Sequence, residues 1–562
     1  MRPLRVLSAA AAGAAGLALA ADAPHAQLRQ AVAEAQTDLV AEAPDDNFGW
    51  SAAVAGDVNG DGVADLVVGA VYNDAAAKDA GKAYVFLGGP TVGPSPFVTM
   101  TGARANDQFA VSVAGAGDVN GDGYADIVVG ARLDDLGGNA SGAAYIYLGG
   151  AAMDGVADLA IPGESANDWF GNSVAGAGDV NGDGFDDVVA GAPYSDRAGS
   201  AAGAAFVYFG GAAMDAAADV VLAGEVHDDQ FGWSVNGAGD VDGDGFEDVI
   251  VGARLHCVDL ILCAGAAYAR GRAYVFRGGP AMDAVADVVL DGAAANDWFG
   301  NTVAGVGDVN GDGRGDVAVG AIYADPVVGG SPLSAAGTTS IFLGGAPMDA
   351  FPDAVLPGEG ADDQSGWAVS AAGDVNGDGA GDLWTTAHFF DDGANSGAGK
   401  AYLFAGGDLI GLPPLASAVG EGIDVQLGQS VAGGDVAGAG GFLEGLVGQV
   451  YSRDAGPGSG KALVLSPFCL DLGIDAIGLT WSSCFPFDGF NVYRGTVDGL
   501  GAGPGLACMQ AGIAGTTASH AADVPPPGTA RLYLVSGRTS VLEGALGFDS
   551  SGERRPNPAP CP

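Results

Sequence analysis

Asp57-Val58-Asn59-Gly60-Asp61-Gly62 is the stretch that decides the fold, because the chain returns to it at a fixed period. The same string begins again at Asp118, Asp179, Asp308 and Asp374, and a copy at Asp240 has Asp242 in place of asparagine. A worn copy at Asp435 reads Asp-Val-Ala-Gly-Ala-Gly. The intervals are 61, 61, 61, 68, 66 and 61 residues. Seven units of that length exceed the usual solenoid period and suit four strands plus their connections.

Outward from the string, each unit repeats one pattern. In the third, Phe170-Gly171-Asn172-Ser173-Val174-Ala175 alternates as a strand ahead of the acidic loop. The apolar run Asp187 to Ala192 follows, then a Gly/Ala/Ser loop, then Ala205 to Gly211, and finally Asp219 to Gly224. Four short strands with glycine-rich turns and no helical period describe one propeller blade. The seventh unit stops after its third strand, Lys461 to Leu465, while a spare strand, Thr37 to Ala41, precedes the first unit. The spare strand is expected to complete the last blade and close the ring, which leaves no open edge. The predicted fold is all-β: a seven-bladed propeller over 37–466 followed by a small β-sandwich over 467–562.

Each intact loop sets oxygen side chains at positions 1, 3, 5 and 9, with glycine at 6. A hard cation such as Ca²⁺ takes six to eight oxygens, and alternate residues of a tight turn supply them. The predicted ligand sets are Asp57, Asn59, Asp61 and Asp65; Asp118, Asn120, Asp122 and Asp126; Asp179, Asn181, Asp183 and Asp187. The remaining sets are Asp240, Asp242, Asp244 and Asp248; Asp308, Asn310, Asp312 and Asp316; Asp374, Asn376, Asp378 and Asp382. Position 7 would offer its backbone carbonyl, so its side chain is expected to vary freely. An EF-hand needs glutamate at position 12. Here that place holds Val68, Val129, Ala190, Val251, Val319 and Thr385, and the flanks read as strands. Asx-rich turns also form without metal, but six copies, each crowding three or four carboxylates into nine residues, favour a cation. About six Ca²⁺ ions are expected, and none at the Asp435 loop.

At these residues the chain resembles the FG-GAP repeats of the integrin α-chain propeller. Phe48-Gly49 through Gly69-Ala70 carries both landmarks, and Gly191-Ala192-Pro193 matches the second fully. The resemblance covers roughly 37–466. It implies seven blades, with Ca²⁺ between the first two strands of certain blades. More loops look intact here than integrins usually keep, and no von Willebrand-type domain interrupts the blades, so an integrin-style ligand mechanism does not carry over. Beyond Pro467, Trp481, the Tyr493-Arg494 segment and Tyr533 resemble, more weakly, a fibronectin type III domain.

Composition bounds the function. The chain has 562 residues, 69 acidic against 21 basic, and a formal net charge of −48. Such a balance excludes nucleic acid and anionic lipid as natural partners. The start, Met1-Arg2-Pro3-Leu4-Arg5 and then an Ala/Leu run, reads as a signal peptide over 1–26, so the mature chain is expected to be secreted or on the cell surface. Nothing later is apolar for long enough to span a bilayer as a helix. Six cysteines in an exported chain point to disulfides, with Cys257 and Cys263 stapling one loop and Cys469, Cys484, Cys508 and Cys561 sharing the C-terminal region.

Catalytic motifs are missing from the pattern: five histidines lie scattered, with no nucleophile or zinc signature beside them. Acidic pairs such as Asp45-Asp46, Asp228-Asp229 and Asp362-Asp363 recur before the first strand of successive units. A recurring pair marks a structural turn, since catalysis needs only one. The chain is therefore read as a non-enzymatic, monomeric binding or adhesion module for a protein or glycan ligand. The alternatives are a polysaccharide-degrading hydrolase or lyase, and a matrix or spacer protein. Loops between second and third strands, on the face away from the acidic turns, are the expected binding surface. Tyr194, Tyr268 and Phe389 fall there, singly and without pattern.

Overall fold

The computed structural model describes residues 31–466 apart from 33, 90–91, 258–268, 377, 408–412 and 437–443, together with the backbone of six strands beyond 466. Every described element is a strand, and the propeller is seven four-stranded sheets. In blade 1, Phe48–Gly56, Asp65–Ala70, Lys82–Phe86 and Val98–Thr101 pair antiparallel in chain order. Blades 2 to 6 repeat that order. Blade 7 takes Leu427–Gly434, Glu444–Gln449 and Lys461–Ser466 from the end of the repeat and its fourth strand, Glu34–Val40, from the beginning. The spare strand thus closes the ring, with Leu39 fully buried opposite Ala462. One further strand was not anticipated: Ala31–Val32 pairs parallel with the outer strand of blade 6.

The second strands explain their own sequences. Asp65–Ala70 is buried along its whole length, as are its five counterparts in blades 2 to 6. A strand covered on both faces reads as a continuous apolar run rather than an alternating one. Seven buried clusters fill the seven gaps between neighbouring blades. In one of them Val67, Val85 and Met100 of blade 1 pack against Phe109, Ile127 and Val129 of blade 2. The phenylalanine at the start of the first strand anchors the gap in blades 1 to 5: Phe48, Phe109, Phe170 and Phe231 are 1–2% exposed. Each meets the third-strand aromatics of its own blade edge-on, Phe48 on Tyr84 at 5.2 Å and Phe231 on Tyr274 at 5.3 Å.

First strands are bulged just after that phenylalanine. Phe48 pairs with Ala70 but Ser51 pairs with Gly69, so Gly49 and Trp50 are extruded from the ladder, and blades 2, 4 and 5 repeat the shift. Bulges re-aim side chains. Here they turn Trp50, Trp233 and Trp367 into the mouth of a central channel of about 490 Å³. Gly49 has φ +85°, and a Cβ there would collide with the Lys461 carbonyl of blade 7. Seven single parallel bridges, Phe48 to Gly460 among them, tie each first strand to the blade before it.

Beyond Ser466, Gly478–Ser483 pairs with Leu470–Ile474 and Thr517–Ser519, and Gly489–Thr496 pairs with Ala507–Ile513 and Arg531–Arg538. The side chains expected to build the sandwich core and its disulfides, Trp481, Tyr533 and the four cysteines, lie outside the described residues, as does the segment read as a signal peptide.

Candidate metal centre

The six loops fold alike because position 1 organises them. Asp57 Oδ1 accepts hydrogen bonds from the amides of Gly60 at 2.7 Å and Asp61 at 3.0 Å, and its Oδ2 accepts from Gly62 at 2.7 Å. Asn59 Oδ1 accepts from the Asp61 amide at 2.7 Å, and Asp61 Oδ1 from Val63 at 3.0 Å. The same bonds recur around Asp118, Asp179, Asp240 and Asp308. In blade 6 the Asp374 and Asn376 bonds persist, but the Asn376 amide nitrogen donates to Asp382 at 3.3 Å, whereas in blade 1 Asn59 donates to Asp61.

Position 9 closes the loop from beneath. Asp65 Oδ2 accepts from the Val58 amide at 3.0 Å and Oδ1 from Gly88 at 2.8 Å, and the residue is fully buried. Burial pushes its carboxyl up to about 6, the two amide bonds pull it down, and the charges of Asp61 and Asp57 push it up again. Asp126, Asp187, Asp248 and Asp316 rise to about 7 and Asp382 to about 6, in each case chiefly through burial. A carboxylate has about four acceptor positions, so the amide bonds leave oxygen capacity free. The donor chemistry is all oxygen and crowded with like charge, which a hard divalent cation would relieve. In the fourth loop, oxygens of Asp240, Asp242 and Asp244 lie within 4.8 Å of one another. The extra carboxylate of Asp242 there faces the Arg277 guanidinium at 3.1 Å.

The loops are also joined to each other. Gly150 of blade 2 donates to the Val58 carbonyl of blade 1 at 2.7 Å, Gly211 to Val119, and Gly89 of blade 1 to Val436 of blade 7. Position 7, expected to vary freely, has a packing task as well: Tyr124 lies against Gly60 of the preceding loop, Phe185 against Gly121 and Phe246 against Gly182. Residues 437–443 of the worn loop lie outside the described residues.

On the opposite face, the recurring acidic pairs are turn-formers, as their repetition implied. Asp45, Asn106, Asn167, Asp228, Asn296 and Asp362 hold φ between 61° and 71°. The aspartate after each is buried and caps the amide three residues back, as with Asp46 on Ala43 at 3.0 Å and Asp107 on Arg104 at 2.9 Å. The aromatics of this face, however, do form a pattern. Tyr194 stands edge-on to Trp169 at 4.6 Å, Tyr323 to Trp298 at 4.7 Å, and Tyr72 to Trp50 at 5.9 Å. Phe389 and Trp367 flank the ring of His388 at 4.0 and 3.6 Å. Aligning the units around each Phe-Gly pair would have revealed it, because four of the seven tryptophans stand immediately before or after such a pair and Trp367 follows its counterpart Ser365-Gly366. Tyr268 and Cys263 lie outside the described residues; Cys257 is disulfide-bonded.

Blade, bulge and acidic loop together define a repeat propeller with one loop-tied acidic face and one aromatic face. The FG-GAP repeat model matches residues 48–86, 109–147 and 170–208, the first three strands of blades 1 to 3. Integrin alpha-5 of Xenopus laevis is 34% identical over 229 residues, which is 39% of this chain and 21% of that protein. Integrin alpha-7 of Homo sapiens is 38% identical over 166 residues (28% and 13%), and integrin alpha-V of Gallus gallus 34% over 220 residues (37% and 20%). The chain carries FG-GAP repeats over those residues and is similar in sequence to the integrin α chains, and it spans about a fifth or less of the length of these relatives.

Proposed function

We propose that this chain is a secreted or surface-held, calcium-loaded propeller that acts as a binding or adhesion module rather than an enzyme. The observation that carries the reading is the six-fold repetition of an all-oxygen loop built over a buried aspartate, five of these loops being tied into the next blade by a backbone hydrogen bond among the described residues. Repetition in six of the seven blades suits a structural ion. Asp57, Asn59, Asp61 and Asp65, with their five counterparts, would hold the ions. Bound Ca²⁺ would offset two of the three or four carboxylate charges in each loop and stiffen that face, leaving the opposite face to meet a protein or glycan. The buried carboxylates of the opposite face are spent on capping amides, which weighs against the hydrolase alternative.

Thermal unfolding of the mature chain in millimolar Ca²⁺ and in chelator tests this. A site that binds only the folded state adds about 2.7 kcal/mol at a hundred times Kd. Several independent sites should raise the transition by tens of degrees, Ca²⁺ more than Mg²⁺. An unchanged transition would reduce the loops to metal-free turns.

A further inference from the structure

Two largely buried arginines of the aromatic face lack what arginines in so acidic a chain should find easily. Arg132 Nε donates to Gln108 at 2.7 Å, and its guanidinium lies 5.3 Å from the Trp169 ring. Arg254 Nε donates to Gln230 at 2.9 Å, and its guanidinium sits 3.0 Å from Trp233 and 4.8 Å from Trp298. Neither has a carboxylate partner among the described residues, although Lys82, Arg197, Arg272, Lys400 and Lys461 all do. Burial pushes both down from the usual range, Arg254 to about 10. Cations removed from water are ordinarily paired with anions.

The surroundings are duplicated. Gln108, Arg132, Trp169 and Tyr194 at the junction of blades 2 and 3 recur as Gln230, Arg254, Trp298 and Tyr323 at the junction of blades 4 and 5. Packing alone does not demand the arginine, since Val71, Pro193, Ile322 and Val450 occupy the same place in blades 1, 3, 5 and 7. Arg132, Trp233, Asn172 and Asn301 line the channel mouth, and Arg254 sits just behind it, stacked on Trp233 and donating to Asn301 Oδ1 at 3.4 Å.

We propose that this mouth is a binding site for an acidic glycan, in which Arg132 and Arg254 pair with its anionic groups and the flanking indoles stack on its sugar rings. The inference rests on the binding-module reading above and names its ligand class. A guanidinium fork matches a carboxylate or sulfate, indole faces suit flat apolar surfaces with a polar edge, and the carboxamides of Asn172 and Asn301, whose Nδ2 and Oδ1 are held by Trp233 and Arg254, keep their other ends for hydroxyls. An acidic peptide would use the arginines but leave the tryptophan surface without a matching partner. Two copies of one cleft suit a repeating polymer, whose second contact is strengthened by the first.

The experiment titrates the mature chain, in Ca²⁺, with oligogalacturonate, its methyl ester, chondroitin sulfate and poly-glutamate, following tryptophan emission and heat. Saturable binding of an acidic glycan, lost with the neutral ester and weakened by salt, is expected. The carboxylate and sulfate arms decide which anion the site prefers. R132Q and R254Q should each weaken binding about tenfold or more, with R132K and R254K in between and all four keeping their calcium-dependent transition. Equal binding of the ester, binding indifferent to all four substitutions, or no acidic glycan bound would overturn the proposal; poly-glutamate in place of glycan would assign the site to an acidic peptide. If the variants still bind a ligand with wild-type affinity, only this site falls. If the wild-type chain binds none of the four while its calcium transition persists, the acidic-glycan site falls and the binding-module reading is confined to ligands of another class.

Discussion

Replacing Trp384 with alanine should be among the most damaging single changes in the propeller. Trp384 is fully buried in the second strand of blade 6, at a register where blades 1 to 5 carry Val67, Val128, Val189, Ile250 and Ala318. It compensates for two losses. The anchoring phenylalanine is Ser365 in blade 6 and Leu427 in blade 7, and blade 7 has Gly445 where the other blades have a branched aliphatic residue. The indole fills the space above Gly445 and Gly433, within the cluster of Leu403, Leu427, Val447 and Leu463. Its Nε1 has no hydrogen-bond partner among the described residues, so the loss is one of packing. Truncating a buried tryptophan costs about 3–5 kcal/mol. Urea unfolding in saturating Ca²⁺ reads it as a fall in midpoint. The sharper test is a cycle: Gly445→Leu alone collides with the indole, while Trp384→Val with Gly445→Leu restores the pattern of the other blades. The double variant should be less damaged than the sum of the singles by about 1 kcal/mol or more. A loss under about 1 kcal/mol for Trp384→Ala, or strict additivity, would refute the exchange of volume between the blades.

Leu39 is fully buried in the closing strand, so Leu39→Ala should cost about 2–5 kcal/mol and show in the same urea assay; a neutral result would mean that blade 7 is held without that strand. Asp107 is buried and raised to about 6, mainly by burial and then by the charge of Asp134. Because the folded state holds its proton more tightly than the unfolded chain, the stability it contributes is complete below about pH 4 and is lost as pH rises through 6. Asp107→Asn, whose amide oxygen can still cap Arg104, should therefore gain on wild type by up to about 1.4 kcal/mol per pH unit across that window, measured by urea midpoints at matched pH; a flat difference would contradict the raised carboxyl.

The repeat count, the strand order within a blade and the closing strand were all legible because each has a local signature: a fixed interval, a run such as Asp187 to Ala192, and an unpaired end. The buried carboxyl at position 9 was legible as a ligand-type residue, but its burial was not, since that depends on Gly88 and Val58 arriving from two other segments. Position 7 reads as free in the sequence because its contact, Tyr124 on Gly60, crosses between blades. The aromatic face was read as scattered for the same reason. Trp169 and Arg132 belong to different units, and only the bulge and the ring bring them together. Contacts within a unit can be read from one strand of text, whereas contacts between units need the curvature of the ring.

The closing strand sets an order of events during synthesis. Asp38 and its partner Lys461 are 423 residues apart, so at about 5–20 residues per second the earlier segment waits roughly 20–80 s before the later one exists. Until then Leu39 has no pocket and blade 7 has no outer edge. Six blades can assemble as they are made, by contacts between neighbours in sequence. The ring can be sealed only after the third strand of the last blade is complete, which makes closure the slowest contact the topology requires. A chain interrupted anywhere before residue 461 is left with both ends of the arc open, however well its individual blades have formed.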